Sequence, residues 1–305
     1  MNRLIKKRYT DNNNIVNCPS CEIGVGTVRY KYIQDDKESR IYHCSLCDLM
    51  FARPVFIPEL SHRQMDSIDD AELFNNPFLK NLHEKFIIKR EIVTVRNILS
   101  KKDFSLLDIG CGTGWTSNIW KKEGVRVTGL EPSSNRAKIA KERYGLKVIP
   151  AYIENLESSD KFDVIVMRHI TEHLENPLSV LTKVKQHLSK DGLILIIVPN
   201  IDCIGRFFFG TKWTWVLPWH CNFFKPKSTA SLLNKAGFEV LKSYQMPSPL
   251  WYPESFLRVL PFSSNFIKSF YNKLSALSFI FFIPVIALGF ISGLSDNLTI
   301  IAKSK

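Results

Sequence analysis

Short apolar runs alternate with longer amphipathic stretches through the middle of the chain. The runs FSLLDI, VRVTGLE, LKVIP, FDVIVM and LILIIVP are almost continuous in apolar residues, as expected of buried parallel strands. Helical spacing follows the first run as far as Glu123, and it recurs over 133–144 and 177–189. Strands and helices in alternation predict an α/β fold, with a mostly parallel sheet covered by helices on both faces.

The pattern changes on either side of this core. After it, apolar spacing predicts a helix over 226–237, then a sixth strand, FEVLKSY, and finally the alternating strand DNLTIIAKS. Before it, residues 56–100 hold a polar linker and a helix that starts at Pro77. Between the last two strands lies the run LSALSFIFFIPVIALGFISGL, residues 274–294, which contains no charged residue and has the length of a bilayer span.

Four of the seven cysteines form two C-x2-C pairs near the N-terminus. A C-x2-C turn directs two thiolates at one point, so two such turns complete a tetrahedral zinc site from Cys18, Cys21, Cys44 and Cys47. The residues between the pairs are β-rich and contain a charged turn, which predicts a hairpin. We therefore predict a structural zinc ribbon over 1–55, whose unfolding on metal loss stays within this segment. A redox dithiol is the alternative interpretation.

Composition excludes few classes of function. The formal net charge is +12, from 41 Lys and Arg against 29 Asp and Glu, which fits either a soluble basic surface or a surface for nucleic acid or phospholipid. No block of like charge favours one of these. The N-terminus lacks the apolar stretch of a secretory signal, and the odd cysteine total with two close pairs favours a reducing compartment over disulfides.

The sequence LLDIGCGTG joins the end of the first core strand to a glycine-rich loop. Asp108 precedes the loop, and Glu131 ends the second strand, where a carboxylate can accept hydrogen bonds from both hydroxyls of a ribose. The spacing is not that of a dinucleotide-binding loop, because a tryptophan occupies the position of the third glycine. Three glycines allow a tight turn that a ligand can approach closely, and they are Gly110, Gly112 and Gly114.

Together these features resemble the class I S-adenosylmethionine-dependent methyltransferases, through LLDIGCGTG, VTGLEPS, FDVIVMRHITEHLENP and DGLILIIVPN. The resemblance is closest to the branch that includes ubiquinone and menaquinone biosynthesis enzymes and many surface-glycan enzymes, in which a paired-cysteine ribbon is a known companion. It implies a Rossmann-like sheet of seven strands, with a methyltransferase core over 101–245. It also implies that the last strand, 297–305, returns antiparallel between the fifth and sixth strands.

The resemblance also assigns cofactor contacts. It implies S-adenosylmethionine as cofactor, with its methionine part against the glycine loop, where Cys111 is a small residue that fits. Glu131 would hold the ribose, and Ile153 and Glu154 would flank the adenine. A strand-to-helix turn that binds no ligand is the alternative for the loop.

Three histidines are candidates for the base that removes a proton from the acceptor, because histidine has the pKa best suited to that task. His169 comes directly off the fourth strand, whose carboxyl end faces the cofactor. His173 matches the EH of the resembling family. His220 lies in the segment after the fifth strand, which we expect to overhang the site. A structural or orienting role is the alternative for each.

Aromatic residues are dense over 205–224, in GRFFFGTKWTWVLPWHCNFF. This density predicts a pocket for a planar or lipid-like acceptor, or a contact with a membrane interface. A lid that packs on its own domain is the alternative. The fifth strand ends in VPN, which differs from the Asn/Asp-Pro-Pro-aromatic pattern expected of enzymes that methylate exocyclic base amines.

The expected last strand constrains the uncharged run. If 297–305 returns to the sheet, residues 246–296 are an insertion with both ends on that sheet. A single membrane crossing by the uncharged run would then place 297–305 on the opposite side of the membrane from the sheet. The run of 21 residues is too short for two crossings, and Pro284 and Gly289 interrupt it. We therefore predict two short helices rather than an anchor. Contact with a membrane interface and burial as a core helix or dimer contact both stay open.

The sequence thus predicts a methyltransferase that is cytoplasmic, or peripheral at the inner face of the membrane through 246–296. Its acceptor is predicted to be a small molecule, a lipid- or nucleotide-linked sugar or a quinone-like ring, in cell-envelope glycan biosynthesis. The enzymatic alternative is an RNA methyltransferase, which the basic charge and the ribbon support. The alternative from another class is a non-catalytic scaffold that binds the cofactor.

Overall fold

The computed structural model describes residues 3–5, 16–34, 37–55, 77–157, 159–217, 219–248, 251–259 and 280–305. The predicted polar linker over 56–76 lies outside the described residues. So do residues 249–250 and 260–279 of the predicted insertion, which include the start of the uncharged run.

The N-terminal segment forms a small antiparallel sheet that includes both cysteine pairs. Its strands are β1 Arg3–Ile5, β2 Val16–Asn17, β3 Val25–Gln34, β4 Lys37–Cys44 and β5 Met50–Arg53. Strands β3 and β4 form the predicted hairpin between the pairs. The outer edge of β5 pairs with a two-residue strand, Asn222–Phe223, from the second half of the chain. The sheet of the ribbon therefore extends beyond the segment that the sequence assigns to it.

A long helical stretch leads into the core. Helix α1, Pro77–His83, runs through a π-helical turn, Glu84–Ile88, into helix α2, Lys89–Leu99. The prediction of a helix from Pro77 is confirmed. Phe86 is 55% exposed, whereas Ile87 and Ile88 are buried. The π-helical turn accounts for the difference, because its extra residue rotates the following helix relative to a regular 3.6-residue repeat.

The main sheet has seven strands, as predicted. They are β6 Ser105–Ile109, β7 Arg126–Leu130, β8 Lys147–Ile149, β9 Phe162–Arg168, β10 Leu188–Pro199, β12 Phe238–Met246 and β13 Asn297–Ser304; β11 is Asn222–Phe223 of the other sheet. The order is β12-β13-β10-β9-β6-β7-β8. Strand β13 is antiparallel to both β10 and β12, and β6 to β10 are parallel to one another. The predicted return of the last strand between the fifth and sixth strands is confirmed.

The helices follow the predicted alternation. They are α3 Trp115–Lys122, α4 Ser134–Tyr144, α5 Pro177–Lys185, α6 Ile204–Phe209, α7 Pro226–Lys235, α8 Trp251–Val259 and α9, residues 280–291. Helix α5 ends four residues before the predicted bound of 189. The helix cannot continue to residue 189, because Leu188 already pairs with Phe162 as the first residue of β10.

Helices cover both faces of the main sheet, and its central strand shows why the sequence is so apolar. In β10, Ile194, Ile196 and Val198 belong to one buried cluster, whereas Leu193, Leu195 and Ile197 belong to another. Alternate side chains of a strand point to opposite faces, so both faces of β10 are core. This double burial requires the continuous apolar run that predicted a parallel strand.

The predicted insertion leaves and rejoins the sheet at one point, because Met246 of β12 pairs with Asn297 of β13. Its described helices α8 and α9 pack with α6 in a separate aromatic cluster around Trp213, Tyr252 and Phe282. Among the residues that the structure describes, none of the helices combines the length and apolar character that a membrane crossing requires.

Candidate active site

The glycine-rich loop joins β6 to α3 at the carboxyl edge of the parallel strands. Gly110 and Gly114 adopt φ angles of +73° and +83°, a region that favours glycine. The N–H of Gly110 donates to the carbonyl of Leu130 at 2.7 Å, which ties the loop to the end of β7. A Cβ on Gly110 would lie 2.2 Å from Ile170 Cδ1, so the loop and the end of β9 are in direct contact.

Glu131 and Asp108 are both buried beside this loop. The Glu131 carboxylate accepts from the N–H of Gly112 at 3.0 Å and from the N–H of Ser133 at 2.9 Å. A carboxylate has about four acceptor positions, so two are left for the hydroxyls of a ribose. Asp108 accepts from the Ser117 hydroxyl at 2.5 Å. These contacts give the loop a fixed shape, which fits the binding of S-adenosylmethionine.

The other three residues that the resemblance assigns to the cofactor differ in exposure. Cys111 is buried, and a Cβ on Gly129 would lie 2.5 Å from its sulfur, so its side chain fills space against β7. Ile153 is buried in the core cluster. Glu154 is exposed beside it in a single 3₁₀ turn after β8. This turn therefore offers a buried apolar group and an exposed carboxylate side by side.

His169 lies at the end of β9, one residue before the contact with the loop. It adopts a φ of +53°, and its N–H donates to the carbonyl of Ile197 at 2.9 Å. Its ring stacks on Trp215, with centroids 4.8 Å apart. His169 is 28% exposed at its side chain, and it is therefore open to a neighbouring molecule.

A buried carboxylate, Glu172, lies among three imidazoles. His169 Nδ1 lies 3.4 Å from Glu172 Oε1, within ion-pair range but outside hydrogen-bond geometry. Ligating atoms of Glu172, His173 and His220 all lie within 4.8 Å of one another. The rings of His173 and His220 are 4.8 Å apart, edge to face. Neither oxygen of Glu172 meets a hydrogen-bond donor within the described part of the chain.

Backbone carbonyls fix two of these imidazoles. His220 Nδ1 lies 2.9 Å from the carbonyl of Trp215, and His173 Nδ1 lies 3.3 Å from the carbonyl of Trp219. Each Nδ1 therefore donates its proton to a carbonyl, which leaves Nε2 of each ring as an acceptor when the ring is neutral.

Burial and neighbouring charges set the protonation of this group, which we call the imidazole cluster: His169, Glu172, His173 and His220. Burial and the neighbouring His173 lower the pKa of His220 to about 3, so this ring is neutral near pH 7. Burial also disfavours the charged form of Glu172, but the surrounding imidazoles outweigh it, and its pKa lies below the ordinary value. The cluster thus combines a buried carboxylate that is negatively charged near pH 7 with a neutral ring at His220.

The aromatic segment over 205–224 divides into parts with different surroundings. Trp213 is fully buried against Tyr252, which matches the predicted lid that packs on its own domain. Trp215 instead stacks on His169. Phe207 and Phe208 are 83% and 57% exposed, so neither is buried in the aromatic cluster of α6, α8 and α9.

An apolar cleft of about 560 Å³ opens between the N-terminal helices, the end of β12 and α9. Its apolar lining includes Leu82, Phe86, Val93, Met246, Ile286 and Phe290, and Lys85, Lys89 and Arg90 add positive charge. His83 also lines the cleft and lies 5.6 Å, centroid to centroid, from Trp115, the first residue of α3 after the glycine loop. Burial, Arg168 and His169 lower the pKa of His83 to about 3, so this ring is neutral near pH 7.

The two cysteine pairs converge in the ribbon. Cys18 and Cys47 sulfurs lie 3.5 Å apart, and Cys21 and Cys44 sulfurs 3.6 Å apart, with all four buried and in no disulfide. Zinc–thiolate bonds of ~2.3 Å in a tetrahedron place sulfurs about 3.8 Å apart. A Cβ on Gly24 would lie 2.3 Å from Cys44 Sγ, so the backbone wraps closely around the sulfurs. The donor set therefore fits a structural zinc ion.

Two features of the site, Glu172 and the apolar cleft, were not predicted from the sequence. Glu172 lies inside the same RHITEH that drew attention to the histidines, and a carboxylate flanked by two of them is the signal that was available. The cleft has no such signal, because its walls come from three segments that are distant in sequence.

The strand order, the glycine loop after β6 and the carboxylate after β7 define a class I S-adenosylmethionine-dependent methyltransferase. The chain belongs to the family described as "Methyltransferase domain", whose sequence profile matches residues 78–243.

Curated relatives are quinone-biosynthesis methyltransferases. A "Ubiquinone biosynthesis O-methyltransferase" of Rickettsia prowazekii is 25% identical over 174 residues, covering 53% of this chain and 68% of its own length. One from Actinobacillus pleuropneumoniae serotype 7 is 31% identical over 106 residues, covering 31% of this chain and 45% of its own length. The chain therefore spans between about half and two thirds of these relatives.

Solved structures share the fold. The plantazolicin methyltransferase BpumL, in complex with SAH, is 18% identical with a TM-score of 0.52, and the match covers 81% of this chain and 91% of that one. A possible histamine N-methyltransferase from Thermotoga maritima is 20% identical with a TM-score of 0.50, covering 77% and 99%. At sequence identities this low, the similarity shows a shared fold and nothing further.

Proposed function

We propose that this enzyme methylates a small acceptor that joins a polar head to an apolar chain, as in a lipid-linked sugar or a quinone-like ring. The observation that carries the proposal is the contact between Gly110 and Ile170. It holds the end of β9, with His169, directly against the cofactor loop. The apolar cleft lies near the same loop, because His83 in its lining packs against Trp115, the first residue after the loop.

The cofactor half of the site is assigned by geometry and resemblance together. Glu131 would accept the ribose hydroxyls, the glycine loop would hold the methionine part, and Ile153 and Glu154 would flank the adenine. Asp108 would fix the loop through Ser117. S-adenosylmethionine, when bound, supplies an electrophilic methyl group on a sulfonium sulfur.

His169 is our candidate base. It is partly exposed and comes directly after β9, and it would take the proton from the attacking atom of the acceptor as the new bond to carbon forms. Glu172, 3.4 Å away, would stabilise the resulting imidazolium. His220 is a poor base because its pKa is so low, and His173 is held by a backbone carbonyl, so both would orient the cluster.

The cleft supports the choice of acceptor. Its lining is apolar, and three basic residues rim it, which favours an amphiphile with an anionic head. Cell-envelope glycan biosynthesis remains part of the proposal on the strength of the sequence resemblance. So does the division into a ribbon over 1–55, a core over 101–245 and an insertion over 246–296.

A peripheral location at the inner face of the membrane is proposed as well. Phe281 and Ile291 of α9 are 73% and 83% exposed, and Phe207 of the neighbouring α6 is 83% exposed. Exposed apolar side chains on a basic protein favour an anionic bilayer surface. Co-sedimentation with vesicles of phosphatidylglycerol and phosphatidylcholine should depend on these side chains, and equal sedimentation of the Phe281→Ser and Ile291→Ser variants would exclude this role.

Methyl transfer from labelled S-adenosylmethionine into extracts of a strain that lacks this gene tests the function. Label in the organic phase would support the proposed acceptor. Label in nucleic acid would replace it with the RNA alternative, and tight cofactor binding without label in any fraction would favour the scaffold alternative. The His169→Asn variant should bind S-adenosylhomocysteine normally and transfer little label.

A second candidate is metal-assisted transfer, because Glu172 is buried without a donor in the described residues and two imidazoles lie beside it. A divalent cation held by Glu172, His173 and His220 would lower the pKa of an acceptor hydroxyl. Metal analysis separates the two candidates. One zinc ion for each chain, unchanged by Glu172→Gln, supports the base mechanism; two metal ions, reduced to one by Glu172→Gln, support the cation.

A further inference from the structure

The zinc ribbon and the imidazole cluster are joined by a short series of backbone contacts. The outer edge of β5 pairs with β11, so that Met50 is opposite Phe223 and Phe51 is opposite Asn222. One residue further along, the N–H of Ala52 donates to the carbonyl of Cys221 at 2.8 Å. The residue that follows His220 is therefore held directly by a strand of the ribbon.

The same residues also hold the other half of the cluster. The N–H of Cys221 donates to the carbonyl of Glu172 at 2.8 Å, and its thiol donates to the carbonyl of His173 at 3.1 Å. The side-chain amide of Asn222 donates to the carbonyl of Leu174 at 2.7 Å. The segment 220–223 thus lies between the ribbon on one side and residues 172–174 on the other.

The metal site leads into this contact within three residues. Only Asp48 and Leu49 separate Cys47 from Met50, the first residue of β5, and the N–H of Cys44 donates to the carbonyl of Leu49 at 2.9 Å. Leu49 and Phe51 are fully buried in the cluster that contains the four cysteines. A segment this small depends on its metal to stay folded.

The ribbon also contacts helix α7 and the residue before it. The amine of Lys235, at the end of α7, donates to the carbonyl of Cys21, and that of Lys225 lies 3.3 Å from Asp48. None of the described hydrogen bonds of the ribbon reaches the glycine loop or Glu131. The described backbone hydrogen bonds from the ribbon thus reach the segment beside the imidazole cluster rather than the cofactor loop.

We propose that the zinc ribbon is the positioning element of the imidazole cluster, so that metal loss frees residues 220–223 and 172–175 while the cofactor loop keeps its structure. The inference rests on backbone contacts, and it holds whichever member of the cluster acts on the acceptor. It replaces the expectation from sequence that metal loss affects residues 1–55 alone, because β5 has a partner strand outside that segment.

Hydrogen-exchange mass spectrometry on the full chain, with zinc bound and after chelation, tests the proposal. Peptides that contain Cys221 and Phe223 should exchange at least about fivefold faster without zinc, since each lost backbone bond contributes about that much protection. Peptides over 105–131 should be unchanged, and so should the affinity for S-adenosylhomocysteine by calorimetry. Loss of protection confined to 1–55, or spread evenly over the chain, would overturn the proposal.

A zinc-loaded variant covers the case in which the metal-free chain unfolds throughout. Ala52→Pro removes the N–H that donates to Cys221 and leaves the four cysteines in place. With one zinc ion confirmed by metal analysis, it should still accelerate exchange at 220–223. The matched control is Lys235→Ala, which cuts a ribbon contact to α7 and should leave that exchange unchanged. Equal protection at 220–223 in both variants would refute the inference.

Discussion

Gly110 and Ile170 are in contact where two neighbouring parallel strands end. A Cβ on Gly110 would lie 2.2 Å from Ile170 Cδ1 and 2.8 Å from its Cγ1. Because Gly110 has no side chain, the side chain of Ile170 can pack directly against the backbone of the loop. The contact joins the cofactor half of the site to the half that carries His169. Its cause is local, because Gly110 needs a φ of +73° to leave β6.

Gly110→Ala should therefore damage both halves of the site. We expect a loss of at least about 2 kcal/mol in the free energy of unfolding, from the positive φ and the forced movement of Ile170. The affinity for S-adenosylhomocysteine should fall at least about tenfold by calorimetry. The control is Gly124→Ala, since Gly124 has a φ of +85° with nothing within 4 Å of its would-be Cβ. It should lose only about 1 kcal/mol and bind normally; equal effects of the two changes would contradict the role of the contact.

Glu131→Gln should weaken cofactor binding without unfolding the chain. The amide keeps one oxygen for the N–H groups of Gly112 or Ser133, but it loses the charge and one pair of acceptor positions. A charge-assisted hydrogen bond contributes about 1.5–3 kcal/mol, so the affinity for S-adenosylhomocysteine should fall about tenfold to a hundredfold. Glu142→Gln, an exposed carboxylate on α4, is the control. Unchanged affinity in Glu131→Gln would remove Glu131 from the site.

Much of this arrangement could be predicted from the sequence, for reasons that are local. The continuous apolar run in β10 and the glycines after β6 each impose one backbone geometry, so strand alternation and the loop follow from them. The burial of Glu172 did not follow, because it depends on residues 220–222, which lie about fifty positions later. The pairing of β5 with β11 joins Phe51 to Asn222. Two-residue strands have no periodicity from which such a pair could be predicted.

His169→Asn should reduce methyl transfer while leaving the cofactor pocket intact. A general base contributes about 10²- to 10⁴-fold to the rate, so transfer into the acceptor should fall by that factor, with unchanged affinity for S-adenosylhomocysteine. His187→Asn is the control, because His187 lies at the opposite end of the sheet, just before β10, where its N–H donates to Val184. Normal transfer by His169→Asn would assign the proton to another member of the imidazole cluster.

Buried neutral histidines should make the fold sensitive to mild acid. His220 and His83 have pKa values of about 3 in the folded chain, against 6.5 for an unperturbed imidazole. Between these values the unfolded chain binds protons that the folded chain does not, so stability is complete above about pH 6.5 and falls as the pH decreases. At pH 5 each ring should cost about 2 kcal/mol relative to pH 7.5.

Urea unfolding of the wild type and His220→Asn at pH 7.5 and pH 5 measures this effect. The variant should lose about 2 kcal/mol less than the wild type between the two pH values. The interval stays above the range in which the carboxylate of Glu172 takes up a proton, since its pKa lies below the ordinary value of 4.5. The same loss in both proteins would show that His220 is not held neutral.

Val93→Glu should close the apolar cleft to an amphiphile with an anionic head. Val93 lines the cleft and is 55% exposed, so the change adds a negative charge at the lining without creating a cavity. It would oppose the charge of Lys85, Lys89 and Arg90, and it would place a carboxylate where an apolar chain must lie. Decyl phosphate is a suitable probe, and its affinity by calorimetry should fall at least about tenfold, because a charge in an apolar site binds poorly.

The matched control for this change is Ile23→Glu, at a side chain of the ribbon that is 77% exposed and lies outside the cleft. Both variants should keep the unfolding midpoint of the wild type, since neither side chain is buried. Decyl phosphate should bind Ile23→Glu as it binds the wild type. If Val93→Glu binds the probe equally well, the cleft does not hold the acceptor.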